Sequence, residues 1–307
     1  MSLLVVDPGF FTTIQDLGRP GSRAFGVPLG GAADRESLMI ANALAGNPAG
    51  LAALEMTIRG GTFEALSDLG VALAGARVEA EVLGAEGRRR VAVPGSAAMR
   101  RGDRLAVGRM EGGARTYLAT PGGFGGEAWM GSRSAEAPLK AGEILPAGPG
   151  RLAWRRPADV ASDDASAPIR LLPGPDWSLL LDPDELTRAP FRVDPRSNRM
   201  GLRLGGPTVA ATPTPERLSA PVTPGAAQVA GGTLIVLGVA CGTMGGYPHV
   251  AQVISADLDR LGRLRPGDPI CFAPVTLSEA RRLDRDRRDA LHARANRIRW
   301  AARDGAC

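Results

Sequence analysis

The chain has 307 residues, of which 44% are hydrophobic and 22% charged, a composition typical of folded globular proteins. Its net charge of +5 is weak support for a nucleic-acid partner, because acidic residues are interleaved with arginines where the excess is concentrated, in RRLDRDRRDALHARANRIRW. No apolar run is long enough for a transmembrane helix, and Cys and His are too scattered for a zinc site. We therefore expect a soluble, cytoplasmic protein with no metal, membrane or nucleic-acid partner.

Frequent turns favour β structure along most of the chain, since 41 glycines and 25 prolines are spread through it. After the apolar run LLVVD, the pattern DRESLMIANALAGNP predicts the first helix, with Asp34 as its N-cap and Gly46 at its end. Short alternating segments then predict strands as far as residue 155: ALEMTI, VALAGA, VEAEVL, RRVAVP, DRLAVG and TYLAT. This spacing is typical of a β-sandwich or barrel.

The composition divides the chain into two β-rich domains. Residues 157–168 are small, polar and bounded by proline, so they predict a linker between an N-terminal domain at 1–156 and a second domain at 169–276. The strand candidates of the second domain are FRVD, LRLGG, TLIVLGV, HVAQVI and ICFAPV. The predicted fold is mainly β, with few short helices and a helical tail at 277–307.

The helical tail begins with a possible capping box, in which Thr276 precedes Glu279 by three residues. Its apolar positions form only a narrow stripe: Leu283, Leu291, Ile298 and Ala302. We therefore expect the tail to pack loosely or to mediate assembly.

Several loops carry a resemblance to one known family. The run TTIQDLGRPGSRAFGVP, followed by GGAAD and ANALAGNP, resembles the opening of the biotin-dependent carboxyltransferase-like family. Further matching segments follow in the family's order: ALEMT, YLATPGG, GSRS, LKAGE, SNRMGLRLGGP, PGAAQV, GGYPHVAQVISADLDRL and LRPGDPICFAPV. Members of this family include the C subunit of bacterial ATP-dependent 5-oxoprolinase, also labelled allophanate hydrolase subunit 2, and half of the urea carboxylase carboxyltransferase domain. The resemblance implies cyclophilin-like barrel character and a related partner protein.

The resemblance leaves three functions open. The first is a component like the C subunit of an ATP-dependent 5-oxoprolinase, a hydrolase that opens 5-oxoproline to glutamate, with proteins like the B and A subunits of that enzyme as partners. The second is a carboxyltransferase component that acts on urea or a similar amide with carboxybiotin. The third is a non-catalytic regulatory or binding subunit with a degenerate site.

The resemblance also limits the cofactors that we expect. ATP belongs to the heteromeric complex under the first function, and biotin enters only under the second. The one lysine, Lys140, is not flanked by methionine, so it does not resemble a biotinyl-lysine. We expect no cofactor bound covalently to this chain.

Polar side chains within these motifs are the candidate substrate-binding residues. A small amide or lactam requires donors and acceptors fixed around a planar carbonyl and N–H unit. The resemblance and the residue types together give nine candidates: Thr13, Gln15, Arg19, Asn42, Arg133, Asn198, Arg199, Gln228 and Tyr247. No residue is assigned as catalytic acid or base.

Most of these candidates have a structural alternative. Thr13 and Gln15 would bind the substrate amide while Asp16 orients Arg19; alternatively, Thr and Asp side chains tie down a tight loop and Arg19 forms an internal ion pair. Arg133 and Arg199 would clamp an anion or brace turns through carbonyls.

Two further features bear on the site. Gly30 and Gly31 would let backbone N–H groups approach a ligand. Asn42, beside the apolar stripe of the first helix, could point into a cleft.

One stretch departs from the family pattern. Members usually have aspartate and arginine shortly before GGYP, whereas Ala240 and Cys241 fill those places here. Losing such a pair would remove orientation or charge stabilisation, typically worth several kcal/mol. Cys241 is a candidate nucleophile or a small buried thiol, and no His–Asp arrangement around it is visible in the sequence. With Cys271 and Cys307 it forms no CxxC pair, so a reducing compartment is expected.

Overall fold

The computed structural model describes residues 1–150, 152, 155, 166–213 and 217–301, and within them the protein is mainly β. The helices are α1 (Arg35–Ala45), α2 (Glu185–Arg188), α3 (Leu258–Arg263) and α4 (Leu277–Trp300). The strands are β1 (Ser2–Asp7), β2 (Phe11–Gln15), β3 (Ala53–Thr57), β4 (Thr62–Ala65), β5 (Leu69–Gly84), β6 (Gly87–Val91), β7 (Gly95–Met99), β8 (Arg104–Ala119), β9 (Ile144–Pro146), β10 (Ile169–Pro173), β11 (Phe191–Val193), β12 (Gly201–Gly205), β13 (Ala220–Pro221), β14 (Ala226–Ala230), β15 (Thr233–Leu237), β16 (Met244–Gly245), β17 (His249–Val253), β18 (Pro269–Ile270) and β19 (Phe272–Pro274). No helix within these residues is long and apolar enough to span a membrane.

Contacts between residues divide the chain into two compact units. The first unit takes its residues from 1–18, 30–160 and 290–307, and the second from 19–29 and 161–289. Residues 19–29, which the predicted bounds place in the N-terminal domain, belong to the second unit, and the predicted tail is divided between the two units at residue 290. Most of the predicted linker, residues 157–165, lies outside the described residues.

In the first unit, nine of the described strands form one antiparallel sheet. Its main path runs β2-β3-β8-β4-β1-β9, and β5 pairs with β6, β7 and β8. The two longest strands, β5 and β8, have 16 residues each, and their pairing shifts register twice. Such bulges bend a strand and increase its twist, so the sheet curls into a barrel-like form. Its core includes Leu3, Leu54, Phe63, Leu73, Leu105 and Leu118.

Two predicted pairs of strands are single strands in the structure. VALAGA and VEAEVL both belong to β5, and DRLAVG and TYLAT both belong to β8. Gly75, at the first of these joints, has φ +132°, and a Cβ there would lie 2.5 Å from the carbonyl oxygen of Arg115. The prediction of two separate strands was wrong because this glycine allows a close approach within one bulged strand.

In the second unit, eight of the described strands form a sheet in the order β18-β11-β12-β15-β14-β17-β10-β19. Neighbouring strands are antiparallel except β10 and β19, which are parallel. Alternate side chains enter a core that includes Leu171, Phe191, Leu204, Val236, Val250 and Phe272. A separate ribbon of β13 and β16 lies in the same unit.

Both predicted helix starts are confirmed. Asp34 caps α1 by accepting from the Ser37 backbone N–H at 3.2 Å, and Gly46 ends the helix with φ 83°. Thr276 Oγ1 accepts from the Glu279 N–H at 3.2 Å at the start of α4.

The end of α4 packs more closely than its narrow apolar stripe predicts. Ile298 is 0% exposed and, with Ala295, joins the core that contains Leu38 and Leu44 of α1. The expectation of loose packing was wrong for these residues, because they pack, together with the partly buried Leu291, against the apolar side chains of α1. Ala302 lies outside the described residues.

Candidate functional site

Strand β2 buries Thr13 and Gln15 completely. Gln15 Nε2 donates to Thr13 Oγ1 at 2.9 Å and to the Ala135 carbonyl at 2.7 Å. Gln15 Oε1 accepts from Ser134 Oγ at 2.5 Å. Both ends of the Gln15 amide are therefore bonded within the protein, as in the structural alternative. Contact between a substrate and Thr13 or Gln15 stays a prediction.

Asp16 anchors the GSRS motif to the end of β2. Its Oδ1 accepts from Gly18 N–H at 2.8 Å and Ser132 Oγ at 2.6 Å, and its Oδ2 accepts from Arg133 N–H at 2.6 Å. The exposed Arg133 side chain donates through Nε to the Gly126 carbonyl at 3.1 Å. Arg133 thus braces its own loop through a carbonyl, and its contact with an anion stays a prediction.

The GGAAD loop turns its backbone donors inward. The N–H groups of residues 31–34 bond in order to Ser134 Oγ at 2.8 Å, the Asp16 carbonyl at 2.8 Å, Glu55 Oε2 at 2.9 Å and the Tyr117 hydroxyl at 2.9 Å. The expectation that the Gly31 N–H faces a ligand was wrong, because this N–H has an acceptor in the protein. Gly31 is needed for a different reason, since a Cβ there would lie 2.7 Å from the Gly18 backbone nitrogen.

The buried side chain of Glu55 anchors the GGAAD loop. Glu55 is 0% exposed; its Oε1 lies 3.2 Å from Nε of the buried Arg115, and its Oε2 accepts from the Tyr117 hydroxyl at 2.6 Å. Burial, with the negative charges of Glu55 and Asp34, raises the pKa of Tyr117 well above its ordinary value. Sequence reasoning missed this network, although an acid inside the apolar strand ALEMT was a signal for it.

Asn42 lies fully buried on α1. Its Nδ2 donates to the carbonyls of Ala49 at 3.2 Å and Leu51 at 2.8 Å, and its Oδ1 accepts from Asn47 Nδ2 at 2.9 Å. The side chain therefore ties down the segment that follows the helix and does not point into a cleft. A substrate contact of Asn42 stays a prediction.

In the second unit, the SNRMG motif forms a tight turn beside the 238–241 stretch. Gly201 N–H donates to the Asn198 carbonyl at 3.2 Å, and Asn198 Oδ1 accepts from Met200 N–H at 2.8 Å. Ala240 N–H then donates to the carbonyl of the buried Arg199 at 3.1 Å. The structure thus brings Asn198 and Arg199 next to the stretch that departs from the family pattern.

Gln228 and Tyr247 also lie together. Gln228 is 4% exposed, and its Nε2 donates to the Tyr247 carbonyl at 3.1 Å. Gly245 makes this approach possible, because a Cβ there would lie 2.5 Å from Gln228 Nε2. Arg19 belongs to the second unit as well, where its backbone N–H donates to the Leu29 carbonyl at 2.8 Å. The first unit holds the other four candidates, Thr13, Gln15, Asn42 and Arg133.

Comparison with known proteins places these motifs in a family. Residues 25–274 match the family described as carboxyltransferase domain, subdomain A and B. The chain belongs to this carboxyltransferase family. It is 36% identical to the C subunit of 5-oxoprolinase from Escherichia coli (strain K12) over 297 residues, which cover 92% of this chain and 94% of that protein. The Haemophilus influenzae protein of the same name is 32% identical over 294 residues, with the same shares covered.

Larger enzymes contain a similar domain. The crystal structure of the K. lactis urea amidolyase matches with a TM-score of 0.85 and 26% identity, over 95% of this chain and 20% of that one. The urea amidolyase of Lachancea kluyveri is 28% identical over 91% of this chain and 17% of that protein. This chain therefore spans about a fifth of these larger relatives.

In this carboxyltransferase domain, the stretch with Ala240 and Cys241 does have a cation beside it. Arg23, on a short 3₁₀ helix, donates through Nη2 to the carbonyls of Val222 and Gly242. Burial raises the pKa of Cys241, with the nearby charge of Arg23 acting in the opposite direction. A raised pKa argues against Cys241 as a nucleophile. Sequence reasoning missed Arg23, which is more than 200 residues from its partner Gly242.

Two other expectations bear on cofactors. Among the described residues, no three His, Cys, Asp or Glu side chains are grouped as a metal ion would require. Lys140 is exposed, and its backbone N–H donates to Glu143 Oε1 at 3.1 Å, as in a surface turn. Neither observation identifies a cofactor.

Proposed function

We propose that this chain is the C subunit of an ATP-dependent 5-oxoprolinase, which converts 5-oxoproline into glutamate. One observation carries the proposal, the 36% identity that extends over 92% of this chain and 94% of the Escherichia coli protein. Similarity along nearly the full length of both proteins supports a shared role more strongly than similarity to one domain of a larger enzyme.

The chemistry requires an environment that this chain can help to supply. Opening the lactam breaks the bond between the carbonyl carbon and the ring nitrogen. Water supplies the hydroxyl that bonds to the carbon and the proton that the nitrogen takes up as it becomes the amine of glutamate. Negative charge develops on the carbonyl oxygen while the hydroxyl adds. Hydrolysis of ATP within the complex provides the driving force. The chain's part is to bind and orient the lactam, and its partners in the cytoplasm are proteins like the B and A subunits of 5-oxoprolinase.

Reconstitution tests the proposal. The chain is co-expressed with the products of its neighbouring genes, the complex is purified, and glutamate release from 5-oxoproline is measured with and without ATP. ATP-dependent release that stops when this chain is omitted is the expected result. A complete, folded complex that releases no glutamate would overturn the proposal.

A carboxyltransferase that acts on urea is the second candidate, favoured by the TM-score of 0.85 with the K. lactis urea amidolyase. This function needs carboxybiotin on a separate carrier protein. Incorporation of labelled bicarbonate into urea by the same complex would favour it, with ATP, a biotin carboxylase and a biotinylated carrier added to form the carboxybiotin. Glutamate release without the carrier would favour the 5-oxoprolinase.

A regulatory role is favoured by one feature only, the Ala240 and Cys241 pair. The double variant Ala240→Asp, Cys241→Arg separates the cases when it is compared with the native chain in the reconstituted complex. Turnover only in the variant would indicate an enzyme that has lost activity. Tight binding to the partners without turnover in either form would indicate a regulator.

A further inference from the structure

In the second unit, Asp176 bonds to the side chain of Arg217 and to the backbone of His249, and we call these three residues the Asp176 cluster. Asp176 Oδ2 accepts from the His249 backbone N–H at 2.7 Å, and both carboxylate oxygens accept from the Arg217 guanidinium. Burial favours the protonated acid, but the hydrogen bonds from Arg217 and His249 outweigh it and lower the pKa of Asp176. Arg217 is thus held as one half of a bidentate ion pair.

Each partner of Asp176 keeps one buried nitrogen without a hydrogen-bond partner among the described residues. These atoms are Nε of Arg217 and Nε2 of His249. Buried polar atoms in proteins are nearly always paired, so two unpaired atoms in one cluster call for an explanation. The Arg217 Nε always carries a hydrogen and is therefore a donor.

We treat the unpaired atom of His249 as an acceptor, since one nitrogen of a neutral imidazole carries no hydrogen. Burial lowers the pKa of His249, so the ring is neutral at pH 7. A neutral imidazole has one N–H donor and one acceptor nitrogen. We assign the acceptor to the unpaired Nε2, and the ¹⁵N shifts of the two ring nitrogens test this assignment directly. The charged groups that act on the ring are Asp176 and Arg217.

We propose that the Asp176 cluster binds the amide group of a small lactam or urea-like molecule. The ligand N–H donates to His249 Nε2, and the ligand carbonyl accepts from Arg217 Nε. A lactam presents these two groups side by side, whereas a carboxylate offers only acceptors and leaves His249 Nε2 unpaired. The cluster adjoins two predicted site residues, since Gln228 pairs with His249 across β14 and β17 and Tyr247 is two residues away. The inference rests on the proposed function only for the choice of 5-oxoproline as a probe.

Histidine NMR tests the proposal on the isolated chain. The sequence has two histidines, and the second, His292, is exposed on α4 and serves as an internal control. The chain is labelled with ¹⁵N-histidine and titrated separately with 5-oxoproline, 2-pyrrolidinone, urea and acetate. We expect a saturable shift of the His249 Nε2 resonance with the amides, no such shift with acetate, and no change at His292. The absence of a saturable His249 shift with every amide, or an equal shift with acetate, overturns the proposal.

A conservative variant sharpens the test. Arg217→Lys keeps a charge for Asp176 but loses the N–H at Nε, so lactam affinity should fall about tenfold, the effect of one hydrogen bond to a charged group. Arg192→Lys, an exposed arginine in the same unit, is the matched control and should bind as the native chain does. Equal affinity of both variants overturns the role of Arg217, and the native titration decides the proposal where Arg217→Lys disturbs folding.

The amide site and the 5-oxoprolinase function can be refuted independently of each other. A saturable His249 shift without glutamate release from the reconstituted complex refutes the 5-oxoprolinase function and retains the amide site. Glutamate release without a His249 shift refutes the amide site and retains the function.

Discussion

The networks around Gln15 and Glu55 in the first unit differ from the Asp176 cluster in the second. In the first unit, the Gln15 amide and both Glu55 oxygens have partners inside the protein. In the Asp176 cluster, Arg217 Nε and His249 Nε2 have none among the described residues. Fully paired buried networks fix a structure, whereas unpaired groups are costly unless a ligand pairs with them. The difference teaches that polar side chains of similar appearance in sequence can be fully paired within the protein, as Gln15 and Glu55 are, or can keep unpaired atoms, to which we assign the binding of an amide in the Asp176 cluster.

The largest expected effect is on the stability of the first unit. Glu55→Ala removes a partner of the buried Arg115, and breaking a buried ion pair should lower the free energy of unfolding by about 3–5 kcal/mol. Urea denaturation measures the loss. Glu64→Ala on β4 of the same sheet is the control, because its pair with Arg104 at 2.8 Å is partly open to solvent, with 54% of the Arg104 side chain exposed, and should contribute at most about 1 kcal/mol. Equal losses in the two variants would show that the Glu55 network is not the support we describe.

The next effect concerns the Tyr117 hydroxyl. Tyr117→Phe removes the link between Asp34 N–H and Glu55, and should cost about 1–3 kcal/mol of the free energy of unfolding. The chain has two tyrosines, and Tyr247→Phe, at a half-exposed side chain, is the control, with an expected change within about 0.5 kcal/mol. A larger loss of unfolding free energy in Tyr247→Phe than in Tyr117→Phe would contradict the structural role that we give the Tyr117 hydroxyl.

The raised pKa of Tyr117 adds a pH dependence. The unfolded chain loses this proton near pH 10, the ordinary value, while the folded chain keeps it. Stability should therefore fall as the pH rises above about 10, because the unfolded state then binds fewer protons. Urea denaturation of the native and Tyr117→Phe proteins from about pH 9 to about pH 11 measures this effect. The free energy of unfolding should fall more steeply with pH in the native protein. If the free energy of unfolding changed equally with pH in the two proteins, Tyr117 would not be buried and neutral as we describe.

The smallest expected effect is the pH dependence from His249. Its lowered pKa means that the unfolded state takes up this proton first as the pH falls through about 6.5. Stability should therefore decrease below about pH 6.5 in the native protein and decrease less in His249→Gln. Melting temperatures at two pH values measure the difference, with His292→Gln as the control. An unchanged slope in His249→Gln would place its ring in contact with water rather than in the cluster.

Local signals in the sequence predict much of the fold. The caps of α1 and α4 follow from Asp34, Gly46 and Thr276, whose chemistry acts within a few residues. The sequence around Gly75 predicted two separate strands, because a glycine within a bulged strand and a glycine between two strands look alike in a single sequence. The placement of residues 19–29 in the second unit depends on contacts distant in sequence, such as the bond from Arg23 to Val222.

The candidate site was harder to predict for the same reason. Glu55 meets Tyr117 only because β3 and β8 pair in a register that sets these two residues opposite each other. Asp176 and Arg217 are 41 residues apart, and neither lies in a motif that carries the resemblance. The residue types in the motifs predict which side chains could bind a polar ligand. Only the three-dimensional pairing shows which of their atoms are already bonded within the protein.

The Michaelis constant for 5-oxoproline in the reconstituted complex tests the difference between the two units most directly. Arg217→Lys should raise it about tenfold because a substrate contact is lost. Ser134→Ala removes the hydroxyl that joins Gln15 to Gly31, so it should weaken folding and leave the constant within about twofold. A raised constant in Ser134→Ala together with a native value in Arg217→Lys would contradict the assignment of recognition to the second unit.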